Sequence, residues 1–176
     1  VGTIRPGNYP RSIANRYNDN GVDINRNFDC AWTPNPSDIS GNELTGKGGT
    51  APFSENESKI LRDFIRSNDP KASIFWHSAG NFISPAGCGD LLYPPSIELS
   101  NTYGGYRVIT QEEIDENNGS AFSYAVTGDV TNWMETEGYS GTTIELQSGN
   151  RSEFERNISG MLKVLQKYGK STPVPS

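Results

Sequence analysis

The strongest constraint on the fold lies in residues 54–78, where a helical pattern runs directly into a short, apolar, β-rich segment. In SENESKILRDFIRSNDP, Ile60, Leu61, Phe64 and Ile65 recur at helical period and predict one apolar stripe. Ser54 and Glu57 have the spacing of a capping box, in which each side chain satisfies a free backbone N–H. Asp69-Pro70 predicts the stop, because the residue before a proline is pushed out of the helical region. ASIFWHS, residues 72–78, has the composition of a buried strand. A helix feeding a buried strand predicts an α/β layered fold.

The C-terminal half repeats the pattern in reverse. GTTIELQ, residues 141–147, predicts a second strand. SEFERNISGMLKVLQKYG predicts a closing helix with Phe154, Ile158, Met161, Leu162 and Leu165 on one face and Gly169 as its stop. STPVPS reads as a frayed tail. Elsewhere turn formers dominate. Residues 1–21 read as loop, GVDIN as a short strand or extended approach, and residues 33–52 as a long surface loop. QEEIDENNGS, residues 111–120, is acidic and predicts a solvent-facing excursion.

The 176 residues suffice for one domain with a sizeable core, and 1–176 reads as a single unit without repeats. Hydrophobic residues make up only 33% and there are 19 Gly and 11 Pro, so long defined loops around a modest framework are expected. No run of 18 apolar residues predicts a membrane span. No signal-peptide pattern opens the chain, and Val1 in place of Met reads as processing or as a cut from something longer. A net charge of −6 argues against nucleic acid or an anionic membrane as the partner, since both select a basic face. The N-x-Ser patterns at Asn56, Asn118, Asn150 and Asn157 are what so much Asn and Ser yields by chance.

Several residues could carry chemistry. His77, the single histidine, ends a predicted strand, where α/β sheets gather ligands. It is either a metal ligand or general base, or a half-buried histidine bonded to a carbonyl. Glu145 interrupts an apolar strand. It is either a buried carboxylate employed as a base or a residue on a half-exposed face. In RYNDNGVDINRNFDCAW, Arg16, Asn25 and Arg26 could converge on an anion, the guanidinium fork matching a carboxylate, or could form loop salt bridges. Tyr124 lies between Gly119 and Gly128, in a loop those glycines could let move, or else packs at a rim. Cys30 and Cys88 are expected to form a disulfide tying two loops; the alternative is a Cys₂His zinc set with His77.

In chain order these pieces resemble the zinc metallocarboxypeptidase family (carboxypeptidase A/T-like). R-x-N-x-x-G-V-D-x-N-R-N-F comes first, then G-T-x-P-F-S-E-x-E at a helix start, a strand ending in His-Ser, a Tyr loop leading into GDVTNW, and a strand carrying the Glu. The resemblance runs from about Arg16 to the final helix. It implies an α/β fold, a mixed sheet flanked by helices of carboxypeptidase-like (phosphorylase/hydrolase-like) architecture. It also implies removal of the C-terminal amino acid from peptides, with Zn2+ as cofactor. His77 is similar to the last of three zinc ligands, Glu145 to the general acid/base, and Arg16 to the arginine that stabilises the oxyanion. Asn25 and Arg26 resemble the pair that grips the terminal carboxylate, and Tyr124 the tyrosine that closes over it. Thr131 resembles the floor of the side-chain pocket, with Asp129 nearby.

The family's His-x-x-Glu, source of the other two ligands, is absent from this sequence. The chain is accordingly expected to be the C-terminal part of such a domain, N-terminally truncated. Self-association through the exposed edge is then expected. Two further readings stand beside peptide hydrolysis: a non-catalytic module that binds peptide ends, and a relative cleaving peptidoglycan peptides. An acidic chain with a disulfide fits an extracellular or cell-surface setting.

Overall fold

A computed structural model describes residues 16–89, 91–116, 122 and 124–169. The expectations for residues 1–15, for 117–120 and for the tail from residue 170 lie outside the described residues. At the centre is a four-stranded sheet, built from β1 (Ser73–Ser78), β2 (Phe82–Pro85), β3 (Arg107–Val108) and β4 (Gly141–Leu146) in the order β1-β4-β2-β3. β1 runs parallel to β4, β2 antiparallel to β4, and β2 parallel to β3. The mixed sheet matches the expected fold class. Its helices are α1 (Asn56–Asn68), α2 (Pro94–Tyr103), α3 (Gln111–Glu116), α4 (Val130–Thr136) and α5 (Phe154–Tyr168). None of the described helices is long and apolar enough to cross a membrane.

Successive strand residues point to opposite faces, so the sheet divides the core in two. On one face Ile24, Phe28, Cys30, Ile65, Val130, Trp133 and Met134 pack together, joined by Phe75 from β1. On the other, Ile83 and Ile144 meet Leu99 and Tyr103 of α2 and Val164 of α5, joined by Ile74. α2 and α5 approach closely because α5 has Gly160 there: a Cβ on it would lie 2.6 Å from the Tyr103 ring. The Cys30–Cys88 disulfide forms as expected, with Cα atoms 5.7 Å apart, and ties the loop before α1 to the loop after β2. The sulfurs are bonded to each other, so the Cys₂His alternative is ruled out.

Four local expectations are corrected. GVDIN is extended only as far as Asp23; residues Ile24–Arg26 form a 3-10 turn that Asp23 caps by accepting from Asn25 N. The capping box at Ser54 and Glu57 does not form. Glu55 occupies the N-cap, and its backbone N–H donates to Asn27 Oδ1 from across the loop, at 3.1 Å. Among the described residues β1 lies at the edge of the sheet rather than buried within it, with Trp76 43% exposed. The apolar stripes of α1 and α5 also face outward more than predicted. Ile60 (69%), Phe64 (61%), Phe154, Leu162 and Leu165 (60%) are exposed, while Ile65 and Val164 carry the buried contacts. Periodicity identified these helices but not the direction in which each stripe faces.

Candidate active site

His77 and Glu145 are register partners on neighbouring parallel strands, β1 and β4. Their side chains therefore share a face at the same level, with His77 Nδ1 3.8 Å from Glu145 Oε1. Glu145 is buried, because β4 is flanked on both sides by strands. Gly80 closes over it: a Cβ there would lie 2.5 Å from the Phe82 ring and 3.0 Å from Glu145 Cβ. Burial raises the Glu145 pKa, and the Asp129 charge adds to the rise while Arg16 opposes it. Burial lowers the His77 pKa, against the pull of Asp129 and with the help of Arg16 and Arg26, so neutral imidazole is favoured.

The 3-10 turn brings Asn25 and Arg26 to the same place. Asn25 donates from Nδ2 to Asp129 Oδ2 (2.7 Å), and its Oδ1 accepts from Val130 N (3.1 Å). Arg26 is folded back by donating from Nη1 to the Asn25 carbonyl (2.7 Å), and its Nη2 reaches Tyr124 OH at 3.4 Å. Tyr124 is positioned by rings: Phe82 of β2 packs on Phe122, centroids 5.5 Å apart, and Phe122 on Tyr124 at 5.7 Å. Arg16 is half-exposed and pairs through Nε with the buried carboxylate of Asp23. Asp23 thus holds both Arg16 and the 3-10 turn, a role the sequence reading missed. The signal available was an acid at the centre of an otherwise apolar GVDI.

Asn25, Arg26, His77, Asp129 and Glu145 line one cleft of about 220 Å³. Its further wall is Ser84, Leu92, Ile114, Phe122, Val126 and Thr143, mixed apolar and neutral polar. Thr131 lies behind that wall: it is fully buried, and its hydroxyl meets that of Thr143 at 2.9 Å. Asp129 does line the cleft, but its oxygens are already engaged by Asn25 and, as the N-cap of α4, by Asn132 N at 3.0 Å.

Among the described residues no three His, Cys, Asp or Glu side chains converge as ligands. Catalytic zinc takes about three protein ligands and an open position. One imidazole does not meet that need, so these residues alone do not fit the metal.

The sequence matches the zinc carboxypeptidase family (Peptidase M14) over residues 9–168. Mast cell carboxypeptidase A of Rattus norvegicus is 45% identical over 60 residues, 33% of this chain and 14% of that protein. The Homo sapiens protein of the same name is 42% identical over 62 residues, again 33% and 14%. Among solved structures, thrombin activatable fibrinolysis inhibitor (TAFI) superimposes with a TM-score of 0.60 at 25% identity, over 86% of this chain and 43% of that one. Murein-tripeptide amidase MpaA from Escherichia coli O157 shares the fold, with a TM-score of 0.57 at 18% identity over 89% and 62%. The matched stretch thus spans 14% of the curated relatives and less than two thirds of each of these structures. A sequence match that holds from the Arg16 loop through the strand of Glu145 to the last helix is more than a set of separate motifs, and this chain belongs to the zinc carboxypeptidase family.

Proposed function

We propose that this chain carries the substrate-gripping and proton-handling part of a metallocarboxypeptidase site, which releases the C-terminal amino acid of a peptide. One observation carries the reading: a guanidinium and an amide meet a buried carboxylate and an imidazole in a single cleft. Arg26 and Asn25 bind the terminal carboxylate, the fork fixing its direction. Tyr124, already beside Arg26, closes that end. Glu145 takes a proton from the attacking water and passes it to the leaving amine; its burial brings its pKa towards the working range of a base. Arg16 offsets charge developing on the carbonyl oxygen. Thr131 acts on side-chain choice through Thr143, which it hydrogen-bonds from behind the wall.

The zinc of the family needs donors beyond His77, which would be one of its ligands. In this reading residues 1–176 are the C-terminal portion of the catalytic domain. A second reading, peptide-end binding without cleavage, is favoured by the lack of a metal-binding trio among the described residues. Both readings share the clamp. The fold likeness to a murein-tripeptide amidase supports peptidoglycan peptides as a substrate alternative. The disulfide supports an oxidising setting such as the cell exterior.

Calorimetric titration with N-acetyl-leucine and with N-acetyl-leucinamide tests the clamp. The acid is expected to bind more tightly, and Arg26→Ala to weaken the acid by about tenfold or more while leaving the amide little changed. Equal weakening of both ligands would overturn the reading.

A further inference from the structure

We propose that Asp129 fixes the direction of the Asn25 amide, so that an N–H of Asn25, and not its oxygen, faces the carboxylate of the bound peptide. This rests on the clamp reading above and adds a positioning residue to it. An amide has two faces of similar shape and opposite polarity, and a flipped Asn25 would present an acceptor to an anion. Here the two neighbours of the amide leave no choice. On one side is Val130 N, which can only donate, 3.1 Å from Oδ1. On the other is the Asp129 carboxylate, which when ionised can only accept, 2.7 Å from Nδ2. Reversal would set N–H against N–H and oxygen against carboxylate. One N–H of Nδ2 is used by Asp129; the other is left for the cleft that Asn25 lines.

Asp129 is held for this task. It is buried, and its second oxygen accepts from Asn132 N as the N-cap of α4. The segments carrying the two residues are joined by backbone bonds, Phe28 N to Gly128 O (3.0 Å) and Gly128 N to Cys30 O (2.8 Å). Gly128 permits the approach: its φ is +63°, and a Cβ there would lie 2.2 Å from the Arg26 carbonyl oxygen. On charge alone the residue is out of place, because an acid beside an anion site repels the ligand. Orientation of the amide explains its presence.

That conflict makes the test one of sign. In the wild type the two donors go to separate oxygens of Asp129; asparagine that keeps its oxygen on Asn132 N as the α4 cap puts an NH2 donor against Asn25 Nδ2, N–H against N–H. Serine keeps the helix cap and leaves the amide without its acceptor. Both Asp129→Asn and Asp129→Ser are expected to weaken N-acetyl-leucine by about tenfold or more, with N-acetyl-leucinamide little changed. If Asp129 acts only through its charge, both variants bind the acid more tightly; if it only caps α4, melting temperature falls and the acid-to-amide ratio holds. Either result overturns the proposal.

A measurement on the unmodified chain does not depend on the variants folding. The Asn25 side-chain ¹⁵N resonance is expected to show one proton held in a hydrogen bond throughout and the other shifting on addition of N-acetyl-leucine. No shift, in a chain that prefers the acid, overturns the proposal. No preference for the acid in the wild-type chain would instead overturn the clamp itself.

Discussion

Glu145 shows how much register decides. Its position in TTIEL leaves open which face it takes, but pairing opposite His77 fixes both side chains at one level beneath the cleft. The motif identified the residue, while its burial comes from β2 and β4 pairing, which no local pattern announces. In a preparation that hydrolyses a peptide, Glu145→Gln is expected to lower kcat by roughly 10²–10⁴-fold. Binding of N-acetyl-leucine should hold, because the amide keeps the shape of the carboxylate. Turnover retained in the variant would remove Glu145 from the proton-handling role.

A second residue reports on the opposite side of the sheet. Burial pushes the Tyr106 phenol up to about 12 from an ordinary 10.0, and its bond to Glu153 Oε2 and the charge of that carboxylate add to the rise. The fold therefore favours the protonated phenol. That stabilisation is complete below the ordinary pKa and is lost as the pH rises towards about 12. Ultraviolet titration of phenolate, taken as the difference from Tyr106→Phe, should place this tyrosine last or nearly so. Glu153→Gln should bring its midpoint down. A midpoint at the ordinary value would show that Tyr106 is not buried against Glu153.

At the scale of elements, α1 begins where a distant residue tells it to. Asn27 is completely buried and gathers the long loop around itself. Its Nδ2 reaches Gly48 O, Ala51 O and Ser54 Oγ, and its Oδ1 accepts from Glu55 N and Ser58 Oγ. This explains the absent capping box: the first turn of α1 is already satisfied from outside the helix. A pattern rule sees Ser54 and Glu57 but cannot see a partner that the chain delivers from 28 residues away. The same limit hid β3, only two residues long, and β2, which ends in Pro85. The long apolar-periodic helices and β4 were legible because they carry their pattern over many residues. Asn27→Ala orphans several buried donors and acceptors at once, so a loss of about 2–4 kcal/mol is expected. For a domain of this size that is a fall in Tm of roughly 5–15 °C, read by circular dichroism. A change smaller than about 1 kcal/mol would mean that water replaces the amide and that the loop does not depend on it.

At the scale of the whole molecule, the outward stripes and the edge strand belong to one physical problem. Among the described residues β1 pairs only with β4, and no described strand takes up its other edge. SIFWHS carries none of the lysines or prolines that blunt such an edge. Exposed Trp76 lies on it, and helices on the two faces of the sheet present Ile60 and Phe64 from α1 and Leu162 and Leu165 from α5. Both pairs have the spacing of neighbours on a helix, so each is a small apolar stripe facing water. Against this stands the net charge of −6, which keeps copies apart at long range. The two forces differ in range and in salt dependence. Self-association is therefore expected to rise with protein concentration and also with salt, as screening removes the repulsion and leaves the apolar contact. Sedimentation velocity over a concentration series at low and high salt reads both. Phe64→Lys with Trp76→Lys should return the chain to monomer, because charge at an open edge is costly to cover. A monomer at every concentration and salt would show that this edge and these stripes are tolerated in water. Association that weakens with salt would place the contact on charged groups instead.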